Sequence, residues 1–101
     1  MAEEKDFART SFQTDPEIFK QFKLWTVKND ISIRDYVEQE VRRYIAMREV
    51  SKESFNIDLS SVTTKPFAIN RELLKQLNTW LVEHDITLKN LMNKIMSDAL
   101  K

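Results

Sequence analysis

Shifted by 55 positions, this chain meets itself. DPEIFKQFKLWTVKNDISIRDYVEQEVRRYI, residues 15–45, lies over NRELLKQLNTWLVEHDITLKNLMNKIMSDAL, residues 70–100, without a gap. Seven positions are identical in that overlay: Glu17/Glu72, Lys20/Lys75, Gln21/Gln76, Trp25/Trp80, Val27/Val82, Asp30/Asp85 and Ile31/Ile86. Upstream, Phe12 falls on Phe67. Two unrelated amphipathic helices would match at apolar positions, but not at Lys-Gln, a tryptophan and an Asp-Ile turn in one register. A duplication accounts for all of them.

Each copy has the same plan. A short extended segment comes first, Arg9–Thr14 and Thr64–Ile69, with side chains alternating between two faces. Asp15 and Asn70 are good N-caps, and Pro16 takes the favoured first helical position in the first copy. Ile18, Phe22 and Trp25, and likewise Leu73, Leu77 and Trp80, recur at helical spacing. These first helices are expected to end near Asn29 and His84, with His84 an exposed turn residue. Glycine is absent, so Asn29, Asp30 or Asp85 must supply any left-handed conformation that the turns require. Ser32 and Thr87 then cap second helices, whose stripes are Ile33, Val37, Val41, Tyr44, Ile45 and Leu88, Met92, Met96, Ala99, Leu100. The expected organisation is a flexible tail over 1–7, a first unit over 8–47, a linker over 48–63 and a second unit over 64–101. Within the linker, Phe55, Ile57 and Leu59 alternate and offer a docked extended piece.

Composition removes several function classes. There is no cysteine and one histidine, His84, which disfavours thiolate or imidazole metal sites and disulfides. The lack of glycine counts against a phosphate-cradling loop. Nothing resembles a nucleophile–base pair, and Glu38 and Glu40 project from different sides of one helix, so the reading is a non-enzyme without metal or cofactor. The acidic start MAEEKD and the lack of a membrane-length apolar run predict a cytoplasmic protein with no membrane partner. Sixteen basic residues balance sixteen acidic ones, so any nucleic-acid partner must be recognised by local charge. Modest non-specific affinity and a shallow salt slope are expected. Trp25 and Trp80 sit on apolar stripes and read as core: burying ~200 Å² each contributes at most about 5 kcal/mol.

One strand and two helices cannot be stable alone, because the strand has two bare edges and the helices lack a second layer. Two copies solve this together, with the strands paired as an antiparallel ribbon over four helices. RTSFQTDPEIFKQFKLWTVKNDISIRDYV and KPFAINRELLKQLNTWLVEHDITLKNLM each resemble a ribbon-helix-helix unit of the Arc/MetJ superfamily. The resemblance implies a mainly α fold with a short β-ribbon, two units in one chain forming a pseudo-dimer. Single-chain tandem units are similar to TraY-like accessory proteins of conjugative plasmid relaxosomes, which implies a bacterial, plasmid or phage origin.

The family sets its ribbon in the major groove of double-stranded DNA and reads bases with alternate side chains. Carried over by position, the resemblance makes Arg9, Ser11 and Gln13 the readers in the first strand. Arg can hold guanine at two points, Gln adenine, and Ser is an adaptable donor and acceptor. The matching positions in the second strand are Thr64, Pro66 and Ala68, of which Thr64 has a hydroxyl and Ala68 can touch a thymine methyl. Lys65 falls on the inward face, so either the register slips or this strand end frays. An asymmetric site, read mostly by the first copy, is the expectation. The resemblance also implies phosphate contacts at the starts of the second helices: Ser32, Ile33 and Arg34, and Thr87, Leu88 and Lys89.

The functions expected are therefore sequence-specific DNA binding as a transcriptional repressor or a relaxosome accessory factor. Self-association on adjacent sites and a relaxase or other plasmid protein are possible partners. The alternative class is a protein-interaction module or an antitoxin. With Lys101 at the end of a helix, the linker is the candidate toxin-binding segment.

Overall fold

The computed structural model describes residues 7–59 and 61–101. The chain runs β1 (Phe7–Thr14), α1 (Pro16–Lys28), α2 (Ile33–Ile45), a short 3-10 turn (Lys52–Phe55), β2 (Thr63–Asn70), α3 (Arg71–His84) and α4 (Leu88–Ala99). It is mainly helical, with β1 and β2 forming a two-stranded antiparallel sheet. Both strands exceed their expected lengths. Phe7, expected in the tail, pairs with Asn70, and Thr63, expected in the linker, pairs with Thr14. The remainder of the expected tail, residues 1–6, lies outside the described residues. Among those described, no helix is long and apolar enough to cross a membrane.

Local chemistry sets the helix starts. Asp15 accepts hydrogen bonds from the N–H groups of Glu17 (2.7 Å) and Ile18 (3.4 Å). Asn70 accepts from Leu73 at 3.0 Å, Ser32 from Asp35 at 3.3 Å and Thr87 from Asn90 at 3.1 Å. All four anticipated caps thus hold donors that helix geometry would leave unpaired. Asp30 and Asp85 adopt left-handed backbone, with φ of 54° and 55°, so both turns put an aspartate where glycine would be the ordinary choice.

The core joins the two halves of the chain. α4 packs against β1 and α1, while α2 packs against β2 and α3. Phe22, Val41, Leu77, Leu91 and Met96 are fully buried. Leu91 and Ile95, outside the expected stripe, are buried, whereas Leu100 is partly exposed. α4 meets the sheet, α1 and the 3-10 turn at once, so its buried arc is wider than one stripe predicts.

Two buried polar side chains, 55 positions apart, tie the second helices to the strands. Glu38 accepts the N–H of Asn70 at 2.8 Å. Asn93 accepts the Thr14 hydroxyl at 2.6 Å and donates to the carbonyls of Gln13 (2.8 Å) and Lys89 (2.7 Å). Neither half of the chain satisfies these groups by itself.

The segment after α2 is no simple linker. Phe55 is buried against Tyr44 and Trp80, with ring centroids 5.6 and 6.3 Å away. It docks from a 3-10 turn and not from the expected extended piece, and Ile57 and Leu59 lie in no strand. His84 is also more engaged than an exposed turn residue. Its ring stacks on Trp80 at 4.5 Å, with Nδ1 3.0 Å from the Trp80 carbonyl and Nε2 3.3 Å from that of Arg48.

Candidate nucleic-acid interface

The two faces of the β1–β2 ribbon differ in burial because successive side chains point opposite ways. Phe12, Thr14 and Ile69 point inward and are buried, while Arg9, Ser11, Gln13, Thr64 and Pro66 are exposed and Ala68 is half-buried. The pairing places Arg9 opposite Ala68, Ser11 opposite Pro66 and Gln13 opposite Thr64. The six outer positions picked out by alternation therefore form three cross-strand pairs in one row. Pairing continues past Pro66 on both sides, so its nitrogen falls where the ladder needs no donor.

Neither slippage nor fraying occurs at Lys65. Its stem stays on the inner face, paired opposite Phe12, and its ammonium lies over the Phe19 ring, 5.2 Å from the centroid. A cation–π contact and the apolar stem make an inward lysine tolerable at the rim of the core.

Two helix starts flank the row. The Ser32 cap occupies the N–H of Asp35, leaving those of Ile33 and Arg34 without intrahelical acceptors. The Thr87 cap does the same for Leu88 and Lys89 by taking Asn90. Arg34 is exposed, its guanidinium 4.3 Å from the Phe7 ring centroid and its Nε 3.9 Å from Asp35. Lys89 is half-buried.

Each helix start belongs to one end of the ribbon. The Arg34–Phe7 contact and the Glu38–Asn70 bond hold α2 at the end where Phe7 meets Asn70. The bonds of Asn93 to Gln13 and Thr14 hold α4 at the opposite end. Arg71, which opens α3, donates to the Phe7 carbonyl at 3.1 Å. Sequence reasoning passed over it, because a first-turn arginine looks like an ordinary solvated residue until the strand register brings it to Phe7, the residue whose ring Arg34 also meets.

Local charge on this surface departs from the overall balance. The outer positions of the two strands and the first turns of α2 and α4 (residues 32–35 and 87–90) carry Arg9, Arg34 and Lys89 against one acid, Asp35. With a formal net charge of +0 for the whole chain, the rest must be correspondingly acidic. Comparison of the chain with protein-family models, with curated proteins and with solved structures finds no match.

Proposed function

We propose that this protein binds double-stranded DNA sequence-specifically, laying the β1–β2 ribbon in the major groove as a tandem ribbon-helix-helix pseudo-dimer. The observation that carries the reading is the pairing of Ser11 with Pro66, which are the same position in the two copies of the repeat. Strands that cross at equivalent residues are related by a local two-fold. That geometry sets the outer row clear of the helices and spaces two amide-bearing, basic helix starts about it. A groove-reading ribbon needs exposed hydrogen-bonding side chains, flanking phosphate ligands and local positive charge. All three kinds of group occur here on one surface.

The biological role that fits such a module is transcriptional repression or service as a relaxosome accessory factor, and the reading requires no enzyme chemistry. Selection from randomised duplexes should enrich a motif. Arg9→Ala should then weaken binding to that motif by about 5- to 150-fold, the worth of a bidentate base contact, and relax preference at one position. Arg34→Ala combined with Lys89→Ala should weaken all duplexes about equally and flatten the salt dependence. Failure to enrich any sequence would reject DNA reading and favour a protein-interaction module.

A further inference from the structure

The outer row is chemically unequal from one end to the other, and the register determines which side chains share an end. Arg9 and Ala68 form one terminal pair, Gln13 and Thr64 the other. The Arg9 end also receives Arg34, lying over Phe7, and Arg71, bonded to the Phe7 carbonyl. The Gln13 end receives Lys89 through the Asn93–Gln13 bond one turn along α4. The positions 55 away from Arg9, Arg34 and Arg71 are Thr64, Lys89 and Pro16. Three guanidinium-bearing residues thus gather at one end, while their counterparts at the other are a hydroxyl, an ammonium and a proline. Sequence alone does not say which of these groups are neighbours. Pairing and helix docking do.

Resting on the DNA-binding reading above, we infer that the ribbon is directional: it reads a non-palindromic site in one orientation, with guanine at the Arg9 end and adenine at the Gln13 end. Arg9 matches the two acceptors of guanine in the major groove, and Gln13 matches the donor–acceptor pair of adenine. Ala68 beside Arg9 can meet only a methyl group, and Thr64 beside Gln13 has a single hydroxyl. Gln13 lies four residue steps along the strand from Arg9, about 13 Å at ~3.3 Å per residue. At ~3.4 Å per base step, this places the two bases roughly three to four base pairs apart along an oblique groove. Turning the protein end for end would set Arg9 on adenine and Gln13 on guanine. With each wrong pairing costing about 5-fold at the least, the reversed complex is weaker by about 25-fold or more.

The experiment uses the absence of native cysteine. Glu17 and Glu72 are exposed, occupy matching positions in the repeat, and lie just beyond the Gln13 end and the Arg9 end respectively. Glu17→Cys and Glu72→Cys are each labelled with a DNA-cleaving iron chelate and bound to the selected duplex. The expected result is one cluster of cuts per label, on the adenine side for Glu17→Cys and on the guanine side for Glu72→Cys. A Thr64→Arg/Ala68→Gln variant, which equalises the two ends, should select a palindrome and cut on both sides with either label. Two-sided cutting by the native sequence, or selection of a palindrome by it, would overturn directionality while leaving DNA binding intact. Failure of the unlabelled protein to bind any duplex would overturn both.

Discussion

Trp25 and Trp80 occupy matching places on α1 and α3, 55 residues apart, yet their surroundings differ. Trp80 is 4% exposed, its indole N–H directed at the Met47 carbonyl (3.4 Å) and its ring flanked by Tyr44, Phe55 and His84. Trp25 is half-buried, stacked on Phe22 at 6.0 Å and edge-on to Tyr36 at 5.1 Å. The difference arises from the segment between α2 and β2, which covers the second half of the molecule. The two halves offer similar helical frames, and the connection between them is part of one core.

The largest expected effect comes from removing that cover. Phe55 is 2% exposed between Tyr44 and Trp80, so Phe55→Ala should cost about 3–5 kcal/mol by loss of transfer energy and creation of a cavity. Denaturant unfolding measures the loss. The fluorescence of a Trp25→Phe background, which reports Trp80, should shift red with Phe55→Ala, whereas that of a Trp80→Phe background should not. Equal shifts at both tryptophans would mean that the connecting segment supports the whole core and not one half.

The buried polar ties come next. Asn93 and Glu38 occupy positions 55 apart and both anchor a second helix to a strand, through two hydrogen bonds in one case and one in the other. Asn93→Ala leaves the Thr14 hydroxyl and the Gln13 carbonyl without this partner, and should cost about 3 kcal/mol. Glu38→Ala abandons the Asn70 N–H and should cost about 1–2 kcal/mol. Glu38→Gln keeps an acceptor and should cost under about 1 kcal/mol. Urea midpoints rank the three. Parity between Asn93→Ala and Glu38→Ala would show that the ties contribute equally despite their different chemistry.

What could be read in advance follows the same division. Caps, turns and the outer row depend on residues within a few positions of each other, so Asp15, Ser32, Asn70, Thr87, the two left-handed aspartates and the alternation of Arg9, Ser11 and Gln13 were all legible. Features made by distant partners were not. Lys65 needs Phe19 to sit inward, His84 needs Trp80 and Arg48, and Asn93 needs Thr14, 79 residues earlier. Asparagine in a helix reads as exposed unless the strand it binds is already placed. Phe55 was seen as apolar, but the 3-10 turn that delivers it has no periodic signal. The candidate interface was legible as a row of side chains unequal between the two copies, whereas the gathering of Arg34 and Arg71 at the Phe7 end was not, because it depends on register and helix docking.

The smallest effect tests whether the connecting segment also reaches the turns. Asp30 and Asp85 share the left-handed conformation, but Asp85 alone lies against that segment, accepting a hydrogen bond from Lys52. Asp30→Gly should therefore stabilise the fold by about 0.5 kcal/mol through relief of the left-handed strain. Asp85→Gly gains the same relief but loses the Lys52 contact, so its melting temperature at neutral pH should rise less. The Lys52 hydrogen bond, and then its charge, hold the Asp85 carboxyl below the ordinary carboxylate range. A carboxyl lowered in the folded state contributes stability above its unfolded pKa and loses it as pH falls through the folded value. The gap between the two variants should accordingly close in acid, and shrink in high salt because the pair is exposed. A gap that persisted through the acid range would assign the difference to backbone geometry and remove Lys52 from the account.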